Sequence, residues 1–329
     1  MLDMIEPDIY RIKIDLSGSP LKSLNSYVIT GGSRNLLIDT GYNNSECLKA
    51  LKDGIDELCL DMSSTDIFVT HVHADHSGLV STIMSPQTRV FMGAADWQVF
   101  RVSTLTHDNY WNSLEQLYIK EGYPHKELER TRLHNPAIKF ETSSIFDCIP
   151  LQDGDILQYG GSTLKCIFTP GHTPGHMCLY DLKREILFTG DHLLFDITPN
   201  ITIWKDMPDS LHYYIESLKK MSIFSVKKTL TAHRENTGDF YKRVTELLLH
   251  HEARLADIKK IVIDYPGING YQVASKIKWS IRVKSWEDFP PGQRWFAVGE
   301  AIAHLNYLVD NKDIIRTVCG GLNTYTENL

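Results

Sequence analysis

Short apolar runs punctuated by glycine dominate the first third of the chain. Hydrophobic residues concentrate at 9–14, 26–29 and 35–39, broken by Gly31-Gly32 and Gly41, and each run has the length of a strand. The rhythm then changes. Leu48, Leu51, Ile55 and Leu58 recur at three- and four-residue steps, which predicts an amphipathic helix over 45–58. Residues 66–69 return to a strand, a helix follows Gly78, and 89–92 reads as another strand. Beyond a long middle segment, strands are predicted near Ile156 and over 163–168, 177–180 and 186–188. Sheet and helix alternate, with polar clusters directly after the strands, so the pattern predicts an α/β fold whose chemistry lies at strand ends.

Two stretches depart from this rhythm. Residues 94–148 carry Trp97, Tyr110, Trp111, Tyr118, Tyr123 and His125, with a helical pattern over 111–120. Long insertions between core strands often serve as active-site lids, so Tyr110 and Trp111 are candidates to face a substrate. The other reading is that these aromatics only pack the insertion onto the core. From about residue 251 the pattern becomes helical, over 253–263, 270–277 and 295–308, with a break at Tyr265-Pro266-Gly267 and an extended run at 314–318. The expected division is a catalytic domain over 1–250 and a small helical appendage over 251–329.

Composition narrows the class. The chain has 329 residues, more than one average domain, and its 42% hydrophobic and 23% charged residues are those of a globular protein. A net charge of -7 argues against a surface that tracks nucleic acid as a whole. From residue 253 onward, however, 10 Lys+Arg face 8 Asp+Glu. In that tail Lys276, Lys278, Arg282 and Lys284 cluster around Trp279 and Trp286, a set that could touch phosphates and stack bases or hold a phosphorylated substrate such as coenzyme A. The alternative is a solvated face over buried tryptophans, so nucleic acid is a possible partner but not the favoured one. The acidic start lacks a signal-peptide pattern, and no run of about 18 apolar residues spans a bilayer. Six scattered cysteines form no CxxC pair, and Cys166 and Cys178 fall in apolar runs where they are expected to be packing residues. A cytoplasmic protein with reduced thiols and no membrane partner is expected. Its oligomeric state is left open.

The chemistry concentrates after residue 69. His71, His73, Asp75 and His76 place four potential metal ligands in six residues, and imidazole with carboxylate suits borderline divalent metals. Three later segments repeat the grammar of an apolar strand stopped by a turn with a ligand. Thr169-Pro170-Gly171-His172-Thr173-Pro174-Gly175-His176 projects His172 from a strand end, Gly190 stops a strand just before Asp191, and Thr229 to Ala232 leads to His233. Together the segments offer seven ligands.

This order of motifs, HxHxDH, PGHTPGH, TGD and a final strand-end histidine, resembles the metallo-β-lactamase-fold hydrolase superfamily over about residues 8–250. The resemblance implies an αββα sandwich, with one metal held by His71, His73 and His172 and a second by Asp75, His76 and His233. Asp191 would bridge them, and His176 and His192 would support the site without ligating. Two divalent cations about 3.5–4 Å apart can share a bridging water and lower its pKa, so that hydroxide attacks without a protein nucleophile. Asp75 would be catalytic, orienting that hydroxide and later carrying a proton. Zinc is the expected metal, although iron and manganese suit the same donors.

Aspartate at position 191 resembles the glyoxalase II-like branch more than true lactamases, but the stretch after it, 192–201, lacks that enzyme's glutathione-binding pattern. The expected activity is therefore hydrolysis of a small-molecule thioester or ester. The alternatives are a phosphodiesterase or endoribonuclease of the same fold, a mononuclear iron enzyme like the persulfide dioxygenases, and a metal-binding module without turnover. The three tail helices followed by an extended run resemble the winged-helix-like appendage of one branch of lactamase-fold hydrolases.

Overall fold

A computed structural model describes residues 1–142, 144–281 and 283–328. The first sheet runs in chain order through β1 (Leu2–Glu6), β2 (Ile9–Asp15), β3 (Ser23–Ile29), β4 (Asn35–Ile38), β5 (Thr65–Val69), β6 (Val90–Gly93) and β7 (Ile149–Leu151). Pairing is antiparallel from β1 to β4 and parallel from β4 to β7. The second sheet is built from β8 (Ile156–Tyr159), β9 (Ser162–Phe168), β10 (Met177–Asp181), β11 (Ile186–Gly190) and β12 (Lys228–Thr231), in the order β12-β11-β10-β9-β8. β11 and β12 pair parallel, and the other neighbours pair antiparallel.

Parallel neighbours need crossovers, and these supply the helices. α1 (Ser45–Glu57) joins β4 to β5, and α2 (Ala74–Ser77) with α3 (Val80–Ile83) joins β5 to β6. The insertion between β6 and β7 forms α4 (Ala94–Leu105), α5 (His107–Lys120), α6 (His125–His134) and α7 (Pro136–Lys139). α8 (Ser210–Met221) joins β11 to β12, and α9 (Phe240–Asp264), α10 (Gly270–Lys276) and α11 (Pro291–Asp310) follow. The chain closes with a hairpin of β13 (Ile314–Cys319) and β14 (Leu322–Glu327).

Alternation within the strands makes the layers. Leu36 and Ile38 of β4, Phe68 of β5, Cys166 of β9, Leu179 of β10 and Phe188 of β11 point between the sheets and share one core. Their neighbours Leu37, Ile67 and Val69 face outward against Leu51 and Ile55 of α1. On the other side Ile167, Cys178 and Leu187 pack against Leu211 and Leu218 of α8 and Val244 and Leu247 of α9. Both faces of the central strands are buried, which is why they read as continuous apolar runs. The result is an αββα sandwich with mixed sheets.

A further core lies beside the sandwich. Leu114 and Tyr118 of α5 and Leu128 of α6 are buried with Ile258 and Val262 of α9, Val273 of α10, and Trp295, Val298 and Ile302 of α11. Tyr118 and Trp295 stack with centroids 3.5 Å apart and planes 10° from parallel. The insertion and the tail, separate in the sequence reading, thus form one helical unit. α9 runs unbroken through residue 250, packing its first turns on the sandwich and its last turns on the helical unit. All six cysteines are free, with Cys166 and Cys178 buried. Among the described residues no helix is long and apolar enough to cross a membrane.

Candidate metal centre

The seven residues singled out as ligands meet at one edge of the sandwich, where the C-terminal ends of β5, β11 and β12 converge with the β9–β10 turn. After β5 the chain enters the short helix α2, whose N-cap is His73 and which carries Asp75 and His76. Gly190 ends β11 at a positive φ of 50°, and a side chain there would meet His176 Nε2 at 2.7 Å and Thr70 Cβ at 2.9 Å. That close approach lets Asp191 follow directly into the site. His233, just past β12, is tied to the first sheet: Asn25 N–H donates to the Ala232 carbonyl at 2.6 Å and the Tyr27 hydroxyl to Thr231 O at 2.8 Å. Donors from both sheets therefore share one rigid edge.

His73 Nδ1 lies 3.0 Å from His71 Nε2 and 3.0 Å from His172 Nε2. Ligands about 2.0–2.1 Å from a tetrahedral zinc stand about 3.3 Å apart, so this triad is near the spacing a metal requires. On the other side Asp75 Oδ2 is 3.4 Å from His233 Nε2 and 3.7 Å from His76 Nε2. Asp191 reaches both groups. Its Oδ1 lies 3.2 Å from His233 Nε2 and 3.7 Å from His76 Nε2, while its Oδ2 lies 3.7 Å from His172 Nε2. Three sets of donor atoms lie within 4.8 Å of one another: His71, His73 and His172; His71, His76 and Asp191; and Asp75, His76 and His233.

These groups fit a cation. Asp75 Oδ2, His76 Nε2, Asp191 Oδ1 and His233 Nε2 are buried with no hydrogen-bond partner among the described residues, a costly state for polar atoms unless something else satisfies them. The charges agree. Burial raises the Asp191 carboxyl, but His233 and His76 outweigh it and hold the group well below its ordinary range. Asp75 is lowered in the same way. Burial lowers the His233 imidazole, yet Asp191 and Asp75 raise it well above normal; His76 is raised by Asp39, Asp75 and Asp191 against the same burial. His73 is pushed down to about 3 by burial and by His172, and His71 falls well below normal. A divalent cation would bind the ionised carboxylates directly and displace the protons of these imidazoles.

The outward ring nitrogens have partners that orient the imidazoles. His76 Nδ1 contacts Asp39 Oδ2 at 2.8 Å, His172 Nδ1 the Asn200 carbonyl at 2.9 Å, and His233 Nδ1 the Ser23 carbonyl at 2.8 Å. His71 Nδ1 lies 3.0 Å from Thr70 Oγ1. Asp39 also accepts from Thr70 N–H at 2.8 Å and holds a positive φ of 61°, an unusual conformation for a residue with a side chain. His176 bonds Thr169 Oγ1 at 2.8 Å and accepts Asp191 N–H at 3.2 Å, so it steadies Asp191. His192 is buried edge-on to Tyr214.

The sequence reading did not single out Asp39, Asp96, Asn200 or Trp204. Asp39 had a legible signal, because Ile38-Asp39-Thr40-Gly41 places an acid at the end of an apolar strand beside a glycine, with acid and glycine in the reverse of the Gly190-Asp191 order. Asp96 had none. From the first turn of α4 it accepts Val72 N–H at 2.8 Å, the Thr173 hydroxyl at 2.6 Å and Gly175 N–H, tying the two histidine-bearing loops together. Burial pushes its carboxyl up to about 6 despite those donors. Trp204 stacks on His73, centroids 5.7 Å apart and planes 24° from parallel, and its Nε1–H donates to the His172 carbonyl at 3.1 Å. Tyr110 and Trp111 lie instead in the helical core, 7% and 9% exposed, outside the donor cluster. In the tail, Trp279 donates to the Ala274 carbonyl and Lys276 lies over Tyr265, while Arg282 lies outside the described residues.

Comparison with known proteins bears on the family and the fold. The model of a family described as anti-Pycsar protein Apyc1 matches residues 22–211. The chain belongs to this family. Among its curated relatives, lactamase-like protein nscB of Neosartorya fischeri is 26% identical over 255 residues, 75% of this chain and 60% of that protein. The chain thus spans about 60% of the length of that relative. Atrochrysone carboxyl ACP thioesterase dmxR1 of a Cryptosporiopsis species is 22% identical over 286 residues, 86% of this chain and 71% of its own. A metallo-β-lactamase family protein from Thermus thermophilus superposes with a TM-score of 0.82 at 24% identity, covering 98% of this chain and 100% of that one. The superfamily and its αββα fold, expected from the motifs, are those observed.

Proposed function

We propose that the chain is a metal-dependent hydrolase that holds two divalent cations and cleaves a small-molecule thioester or ester. His71, His73 and His172 would hold one cation, Asp75, His76 and His233 the other, with Asp191 between them. The observation that carries this reading is the placement of Asp191, whose two oxygens face the two donor triads separately. A mononuclear site would leave Asp75, His76 and His233 as a buried set without use. Cations bound there, most simply zinc, supply Lewis acidity to the scissile carbonyl and lower the pKa of a water.

The protein's own residues then have defined tasks. Asp39, Asn200 and Ser23 hold the imidazoles with Nε2 inward, and Asp96 keeps the two loops in register. Asp75 Oδ2, unpartnered at the centre of the cluster, can orient a nucleophile and carry its proton. A thiol leaving group has a pKa near 8.5 and departs as thiolate without a strong general acid, which matches a site built from carboxylates and imidazoles. The thioesterase name of one relative supports the same class.

The test is turnover by the metal-loaded protein and its Asp191→Ala variant on acyl-coenzyme A, an aryl ester, an aryl phosphodiester, RNA and a cephalosporin. Thioester or ester cleavage that falls at least about a hundredfold in the variant is expected. Cleavage of the phosphodiester or RNA alone would replace the substrate class, and full activity in the variant would remove the dinuclear reading.

A further inference from the structure

A pocket of about 130 Å³ lies where the insertion, the loop carrying Trp204 and the C-terminal unit meet. Its size is close to the ~150 Å³ of a cavity that accepts a benzene ring. One side is apolar, with Leu117, Ile203 and Ile302; the other presents Lys120, Lys205 and Arg316. Lys120 and Lys205 are exposed and, among the described residues, make no ion pair. Arg316 spends one guanidinium nitrogen on Asn306 Oδ1 at 2.9 Å. The acid on the wall, Glu121, is engaged by Asn323 Nδ2 and the Tyr325 hydroxyl, and burial raises its carboxyl. Three cations on one small pocket are not spill-over from a basic surface, because the chain carries a net charge of -7.

Trp204 connects this pocket to the chemistry. The same indole that lines it stacks on His73 and donates to the His172 carbonyl. A group seated in the pocket is therefore one side chain away from the donor cluster. We propose that this pocket binds the anionic arm of the substrate, a phosphate-bearing group attached to the thiol side of the scissile bond, with Lys120 and Lys205 as its charge partners. The proposal rests on the thioester reading for the bond that is cleaved, but the binding of an anion in the pocket can be measured without it.

The probe is coenzyme A, a phosphate-bearing thiol with no bond to hydrolyse, compared with pantetheine, its uncharged portion. Equilibrium binding to the metal-loaded full chain is measured for the unaltered protein, Lys205→Ala, and the Lys120→Ala/Lys205→Ala double variant, at low and high salt. Each lysine removed should weaken coenzyme A binding about fivefold, the attraction of an exposed cation for a charge about 4 Å away in water. The double variant should lose about twenty-fold, and salt should erode the difference. Pantetheine should bind more weakly than coenzyme A and respond to neither change. Equal binding of the two probes, a double variant that binds coenzyme A as tightly as the unaltered protein, or no coenzyme A binding at all would overturn the pocket assignment. If charge-dependent binding is found but no thioester is cleaved, the pocket stands and the reaction assignment falls. If thioesters are cleaved without lysine dependence, the reaction stands and the pocket falls.

Discussion

The decisive features at the residue scale are a few side chains whose neighbours leave them one role. Asp39 fixes His76 from behind, so Asp39→Ala should reduce metal affinity by about 10- to 100-fold, measured by competition with a chromophoric chelator, while far-ultraviolet circular dichroism stays native. His76 and His233 hold protons above the ordinary range in the cation-free site. Metal binding must expel those protons, so affinity should fall as pH is lowered and uptake should release protons into weakly buffered solution. An uptake that is independent of pH between about 5 and 8 would contradict this. Asp66 illustrates a different use of a buried acid. Burial raises its carboxyl, but Arg34, Arg89 and Tyr159 together hold it well below the usual range. Its stabilisation is fully present above the unfolded pKa of about 3.9 and is lost as pH falls below that value. The melting temperature of Asp66→Asn should therefore depend less on pH in the acid range than that of the unaltered protein. The clustering of these histidines and acids was legible from sequence because their segments each follow an apolar, strand-like run. Asp96 and Trp204 were not, because an acid in a helix and a tryptophan in a loop carry no local mark of the partners that folding brings to them.

Among the elements, the short strands and α1 could be read closely, since burial on one or both faces leaves a strict period in the chain. The predicted 45–58 helix is observed as Ser45–Glu57, and the strand expected at 163–168 as Ser162–Phe168. The edge strands β1 and β7 were missed because their sides are partly exposed and no alternation is imposed on them. The pairing of α5 with α11 was also invisible, as stacking between Tyr118 and Trp295 is a long-range contact without a period. Trp295→Ala should cost about 3–5 kcal/mol, as expected for emptying a buried aromatic site. Hydrogen exchange should then accelerate in both α5 and α11. Faster exchange in α11 alone would mean that the insertion does not depend on the tail.

For the whole molecule, an αββα sandwich supplies a rigid edge where strands from both sheets deliver donors, and the helical unit beside it supplies the wall next to Trp204. The motifs foretold the first part. The second required the fold, because the insertion and the tail belong together only through contacts distant in sequence. The central claim is that the edge holds two cations with Asp191 between them. Elemental analysis of the protein after loading with zinc and removal of free metal tests it directly. Two zinc ions per chain are predicted for the unaltered protein, and about one per chain for His233→Ala, which removes one donor of a single triad. One zinc ion or none in the unaltered protein, or two retained in His233→Ala, would contradict the account.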